Sequence, residues 1–222
     1  MCGIYGSFNS DPKIKNFILN KLSHRGPDGS GYYINENKDT LLCHTRLSII
    51  DESDNGLQPM TDETENYLIT FNGEIYNYLE IKKKLLSKGH KFKSNSDTEV
   101  VLHSYIEWGA KCLDIFRGMF AFCIYQKNNS KFFLARDRFG IKPLIYFYDG
   151  LKFYFSSEMK TFFQNEEIRK TLDEKAIFDY FSYGSIYQPN TIFKEFKYLL
   201  PGHYLIFDSK NNFQIQKYYD LE

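Results

Sequence analysis

No stretch of this sequence approaches the run of about eighteen apolar residues that a membrane-spanning helix needs. The N-terminus carries no basic segment followed by an apolar core, so no secretory leader is expected, and the cytosol is the expected location. Neither charge predominates: Lys and Arg total 28, Asp and Glu total 28, and the formal net charge is zero. That balance provides no electrostatic reason to expect nucleic acid or an anionic membrane as partner. Cysteine is scarce. Cys2, Cys43, Cys112 and Cys123 share no C-x-x-C spacing, and none of the five histidines has metal-ligand spacing, so no metal site is expected. There is no Walker loop and no G-x-G-x-x-G, which removes the usual nucleotide signatures. Ser156-Ser157-Glu158 has no nucleophile elbow around it, which argues against a catalytic serine.

What is present is ordinary for a globular chain. Hydrophobic residues make up 42% and charged residues 25% of 222 residues, enough to bury a core without disulfide or metal staples. The aromatic content of 18% reads as composition bias rather than as a binding signal.

Hydrophobic period predicts strands over 3–8, 31–34, 41–50, 67–71, 119–126, 131–135, 144–148 and 152–155, with a last hairpin pairing 204–207 with 214–219. Helices are expected over 14–22, from Asn77 to about Lys88, and from Ser96 to about Trp108, the last stopped by Gly109. Asn77/Glu80 and Ser96/Glu99 have capping-box spacing. Asp173 is expected to cap a further helix, with Ala176, Ile177, Tyr180 and Phe181 facing inward and a Leu172–Ile177 staple. Adjacent strands with segregated helices point to an α+β domain with antiparallel sheets covered by helices.

Chemistry concentrates at the start of the chain. A small residue at position two permits removal of Met1, which leaves a thiol and a free α-amine on Cys2. An α-amine titrates at roughly 7.7–8.0, so part of it is neutral at cytosolic pH and can take the thiol proton. Without that context Cys2 is an incidental terminal residue. Asn72-Gly73-Glu74 ends a hydrophobic strand and has the commonest short turn signal. It also has the donors of an oxyanion hole, the Asn72 amide and the Gly73 N–H. Arg46 emerges between two apolar runs and suits bidentate capture of a carboxylate. Asp97, in the first turn of a helix, is expected to stay ionised and to accept an ammonium group, or simply to cap its helix. Arg25 lies in the turn-rich His24–Gly31 loop, either structurally or orienting a substrate. Arg136-Asp137-Arg138 is charged enough for phosphate, though an internal ion pair with a tight turn is the stronger expectation.

In order, Met1-Cys2-Gly3-Ile4, His24-Arg25-Gly26-Pro27-Asp28, Arg46-Leu47-Ser48-Ile49-Ile50, Asn72-Gly73-Glu74-Ile75-Tyr76-Asn77, Ser96-Asp97-Thr98-Glu99, Gly140-Ile141-Lys142-Pro143-Leu144 and Pro201-Gly202-His203-Tyr204 resemble the class II glutamine amidotransferase family. Pro27-Asp28 and the Glu74–Asn77 extension place the resemblance nearest the N-terminal domain of glutamine-hydrolysing asparagine synthetases. The resemblance covers residues 1–222 as one domain. It implies a four-layer αββα sandwich of two antiparallel sheets, of the N-terminal nucleophile hydrolase type. It further implies Cys2 as nucleophile, Asn72 and Gly73 as oxyanion donors, and L-glutamine held by Arg46, Glu74 and Asp97 with backbone help from Leu47, Ser48, Ile49 and Ile50. No cofactor is implied here; ATP and Mg²⁺ belong to a synthetase domain whose Ser-Gly-Gly loop this chain lacks, so a longer protein is expected. A homodimer is an open arrangement. A glutamine-sensing module without catalysis, or a domain serving another carboxylate acceptor, are the competing expectations.

Overall fold

The computed structural model describes residues 1–163, 165–166, 168–210 and 212–221; Glu222, the last residue of the sequence, lies outside them. Strands β1 (Gly3–Phe8), β2 (Gly29–Ile34) and β3 (Thr40–Arg46) surround helix α1 (Lys15–Leu22) in the sequence. There follow β4 (Met60–Thr61), β5 (Tyr67–Ile75), α2 (Tyr78–Ser87), α3 (Asp97–Trp108), the single turn α4 (Cys112–Ile115) and β6 (Gly118–Gln126). The chain continues through β7 (Lys131–Arg136), β8 (Ile145–Tyr148), β9 (Phe153–Ser156), α5 (Glu174–Tyr183), β10 (Lys197–Tyr198), β11 (His203–Asp208) and β12 (Phe213–Lys217). Two six-stranded sheets result, ordered β10-β8-β9-β1-β3-β2 and β12-β11-β7-β6-β5-β4, with antiparallel pairing throughout.

The layers follow from side-chain alternation. Ile4, Leu42, Phe153 and Phe155 of the first sheet meet Ala121, Cys123, Phe132, Leu134 and Phe207 of the second in one apolar layer. Their neighbours Tyr5, Leu41, Cys43 and Tyr154 point the other way and pack on Ile18 and Leu22 of α1. On the far face of the second sheet, Ile69, Phe71, Phe122 and Ile124 pack on Ile81 and Leu85 of α2 and Val100 and Val101 of α3. Both sheets are thus buried on two faces, in the expected αββα order. No helix among the described residues is long and apolar enough to cross a membrane.

Most expected elements form within a residue or two, and the departures have physical causes. The strand expected over 41–50 stops at Arg46, because the Arg46 guanidinium donates to the carbonyls of Asp51 and Ser53 and folds the next residues back as a loop. The strand expected to end near Phe71 runs on to Ile75, since β6 pairs with it through Gly118, so Asn72-Gly73 is strand rather than turn. Neither capping box closes. Asn77 donates to the Ile115 carbonyl and accepts from Arg117 N–H, while Glu99 accepts from the N–H groups of Lys93 and Ser94. Ser96 does cap α3 through Thr98 N–H, and Gly109 ends it at φ +57°. Asp173 caps α5 as expected, but that helix lies on the surface. Its buried residues are Ala176 and Asp179, whereas Tyr180 and Phe181, expected inward, are 55% and 83% exposed. Leu172, expected to staple the helix, is half exposed.

Candidate functional site

The first residues of β1 are held by hydrogen bonds from three directions. Ser157 Oγ accepts Ile4 N–H at 3.1 Å, and Ser156 Oγ donates to the Ile4 carbonyl at 3.2 Å. The two serines therefore serve the backbone beside Cys2, consistent with no catalytic role of their own. Arg25 Nε donates to the Cys2 carbonyl at 2.9 Å, and its NH1 is 3.1 Å from Glu158 Oε1. Of the roles open to Arg25, the structure assigns it to the Cys2 backbone rather than to the cavity wall.

Cys2 lines a cavity of about 180 Å³. That is smaller than the roughly 300–1,000 Å³ of sites for drug-sized ligands and suits a molecule the size of an amino acid. Cys2, Arg46, Leu47, Ile49, Ile50, Asn72, Gly73, Glu74 and Asp97, drawn from distant parts of the sequence, share its walls. Ser48 is turned aside, with its N–H donated to Asp28 Oδ2 at 2.8 Å. Met1 also lines the cavity. Burial pushes the Cys2 thiol above its ordinary value; the Leu47 N–H, 3.4 Å from Sγ, acts against this, as do the chain-terminal charge and Arg46, while Asp97 adds to the rise. The thiol therefore needs a base to ionise at neutral pH.

Two residues of β5 with free donors, Asn72 and Gly73, line the same cavity as Cys2. Asn72 is buried, and its Nδ2 has no hydrogen-bond partner among the described residues, a costly condition for a buried amide. The Gly73 N–H is aimed by strand alternation. Its cross-strand partner Phe120 uses both backbone groups on Asp137, accepting from Asp137 N–H at 2.8 Å and donating to Asp137 Oδ2 at 3.1 Å. Gly73 and Phe120 are therefore a pair without mutual hydrogen bonds, and the Gly73 N–H points off the open edge of β5. On that same edge Phe71 N–H is taken by Gln58 Oε1 at 2.6 Å and Ile75 N–H by Asp97 Oδ2 at 2.9 Å.

Charges of both signs frame the rest. The Arg46 guanidinium is buried and already braced by the Ser53 and Asp51 carbonyls, which orients it rigidly. It sits where a side chain on Gly56 would be: a Cβ there would come within 2.2 Å of Arg46 NH2. Opposite in sign stand Glu74 and Asp97. Burial raises the Asp97 carboxyl to about 6, held from going higher by the Ile75 and Thr98 N–H groups and pushed further by Glu74. It is ionised at neutral pH, but less securely than its place at a helix N-terminus alone predicts.

Arg136 and Asp137 are engaged within the chain itself. Arg136 donates to the carbonyls of Gly140, Lys142 and Leu199 and to Gln188 Oε1, and Asp137 accepts from Phe120, Phe139, Ile141 and Lys142 N–H groups, so each braces the 136–142 turn and its neighbours. Among the described residues no cluster of three or more His, Cys, Asp or Glu could hold a metal ion. Gln58, Ser96, Thr98, Met119 and Lys142 also line the cavity and were not expected in the site. Gln58 carries no signal of chemistry in its type or spacing, while Ser96, Thr98 and Lys142 stand in motifs read only for capping and family resemblance.

A family model described as a glutamine amidotransferase domain matches residues 1–219. The chain belongs to the glutamine amidotransferase domain family. This amidotransferase domain is 37% identical over 231 residues to asparagine synthetase (glutamine-hydrolyzing) 3 of Bacillus subtilis, covering 100% of the chain and 37% of that relative. It is 38% identical to putative asparagine synthetase (glutamine-hydrolyzing) 2 of Methanocaldococcus jannaschii, over 100% of the chain and 47% of that protein. Amidase chry2 of Gibberella zeae is 35% identical over 92% of the chain and 30% of its own length. The chain thus spans less than half the length of these curated relatives. Among solved structures, the glutamine phosphoribosylpyrophosphate amidotransferase of B. subtilis superposes with a TM-score of 0.72 at 20% identity, over 98% of the chain and 49% of that structure, a likeness of fold.

Proposed function

We propose that this domain hydrolyses the side-chain amide of L-glutamine to glutamate and ammonia, with Cys2 as the nucleophile once Met1 is removed. The observation that carries the proposal is the unpartnered Nδ2 of Asn72, buried in the same cavity as the Cys2 thiol. A donor kept waiting in a desolvated site is what a developing oxyanion requires. Removal of Met1 frees an α-amine on the residue that carries the thiol. The amine takes the Sγ proton, and sulfur adds to the amide carbon. The oxygen becomes an oxyanion facing Asn72 Nδ2 and Gly73 N–H. Collapse breaks the C–N bond; the ammonium returns its proton to the departing nitrogen, which leaves as ammonia. Water, deprotonated by the same amine, then cleaves the thioester to glutamate and restores the thiol.

The zwitterionic end of glutamine matches the charges of the walls. The braced Arg46 takes the carboxylate, Glu74 and Asp97 take the ammonium, and Leu47, Ile49 and Ile50 close the side. The names of the relatives support aspartate as the ammonia acceptor, amidated by an ATP- and Mg²⁺-dependent synthetase domain joined to this one. The amidase among the relatives favours a second reading, in which the same glutaminase serves another acceptor. Free thiols at Cys2, Cys43, Cys112 and Cys123 support a reducing compartment such as the cytosol.

The test combines intact mass with turnover. Mature protein should lack Met1, release glutamate from glutamine, and be labelled at Cys2 by an electrophilic diazo-ketone analogue of glutamine. Cys2→Ala should abolish release. Glutamine binding without turnover in protein that retains Met1 would establish a silent sensor instead.

A further inference from the structure

The open edge of β5 is held at two points, on either side of Asn72-Gly73. Strand β4 pairs with Leu68 and Ile69, and beyond Ile69 no strand among the described residues covers that edge. An uncovered edge leaves N–H groups without partners and the strand free to shift. Two side chains take the place of a strand. Asp97 accepts Ile75 N–H on one side. On the other, Gln58 Oε1 accepts Phe71 N–H at 2.6 Å while Gln58 Nε2 donates to Thr98 Oγ1 at 3.2 Å. Asp97 and Thr98 are consecutive residues at the start of α3, so both braces run to one rigid helix end. Gln58 and Thr98 are buried, and His44 Nε2 lies 3.2 Å from the Phe71 carbonyl, which pins the other backbone group of the same residue from the other sheet. Asn72 and Gly73 are suspended between these braces.

We infer that Gln58 is a positioning residue: its side-chain amide, bridging Phe71 N–H to Thr98 Oγ1, sets the reach of the Asn72 and Gly73 donors toward the oxygen of the carbonyl attacked by Cys2. The inference rests on the glutaminase reading above. The bridge acts first on the oxyanion donors: a shift of β5 at Phe71 moves Asn72 and Gly73 without touching Arg46, the thiol or its amine, while Glu74, further along β5, is held from its own end by Asp97 at Ile75. Small displacements of such donors are costly, since their hydrogen bonds strengthen only in the transition state.

The test uses the 222-residue chain with Met1 removed. Gln58→Met keeps the volume and loses the amide; it should lower kcat for glutamine about 10- to 100-fold with KM within roughly twofold. Alkylation of Cys2 by iodoacetamide displaces iodide and forms no oxyanion, so its rate should stay within about twofold of wild type. Thr98→Val removes only the far end of the bridge and should give a smaller kcat loss, and Thr98→Ser should restore it. Normal kcat in Gln58→Met, a KM effect in place of a kcat effect, parallel loss of turnover and alkylation, or a Thr98→Ser as slow as Thr98→Val would each overturn the inference. If Gln58→Met does not fold, the Thr98 pair decides alone. Wild-type protein inert toward glutamine would overturn the glutaminase reading itself, an outcome distinct from all of these.

Discussion

Arg25 Nε and the Cys2 carbonyl oxygen are 2.9 Å apart, so a turn-rich loop 23 residues downstream holds the backbone of the residue that bears the thiol. Glu158 holds the same guanidinium from the other side, 3.1 Å away, with its own carboxyl kept below the usual range by Lys160, Arg25 and His24 against the effect of burial. Removing this strut leaves the charges around glutamine in place but loosens the nucleophile. Arg25→Ala is expected to lower kcat for glutamine hydrolysis by about 10- to 100-fold with little change in KM, because a displacement of about 1 Å can cost that much. Steady-state kinetics on the mature protein check it.

Gly56 and Arg46 are in contact so close that any side chain at 56 displaces the guanidinium. Gly56→Ala should therefore act at a distance on substrate affinity, raising KM for glutamine about tenfold while kcat stays near wild type. Arg46→Ala should raise it further, by the roughly 1.5–3 kcal/mol of a charged hydrogen bond. Glutamine titrations of initial rate distinguish the two.

Asp97 must be ionised to hold an ammonium group, and its carboxyl sits at about 6 in the free protein. The rate constant kcat/KM for glutamine should fall about tenfold per pH unit below the roughly 7.7–8.0 of the α-amine, and loss of the Asp97 charge should steepen that fall below about 6 by up to a further tenfold per unit. Asp97→Asn should lose most of the affinity and, with it, that steepening. A wild-type profile whose slope stays the same through pH 6 down to 5 would remove Asp97 from the ammonium site.

His44 and Asp97 pull acid stability in opposite directions. Burial lowers His44 to about 3, so between about 6.5 and 3 the unfolded chain binds a proton that the folded state refuses. That stability is fully present above about 6.5 and is lost as pH falls toward 3, at up to ~1.4 kcal/mol per pH unit. Asp97, raised in the folded state, favours folding below about 4 and gives this up as pH rises through 6. Urea midpoints measured from pH 7 to 4 should fall less in His44→Gln than in wild type. They should fall more steeply between pH 6 and 4 in Asp97→Asn.

Local physics explains which expectations held. Ser96 and Gly109 bound α3 because a cap and a positive φ are properties of one residue and its immediate neighbours. β1 and β7 formed where apolar patterning placed them. Asn72-Gly73 misled because its turn propensity is local, whereas β6 pairs with it along the whole strand and overrides that propensity. The outward aromatics of α5 misled for a related reason: a 3.6-residue apolar period shows that a face exists, not which surface meets it.

The sequence alone determined the order of the chemistry-bearing residues and an α+β class of antiparallel sheets covered by helices, since those depend on residue type and spacing along the chain; the four-layer αββα order was an expectation carried by the family resemblance. Only the tertiary structure decided that Arg46 is braced by the loop that follows it, that Gly73 N–H faces an open strand edge, and that Gln58 spans from β5 to α3. Each of these joins segments brought together by sheet pairing and burial, and a contact of that kind leaves no periodic trace in either partner's own stretch of sequence.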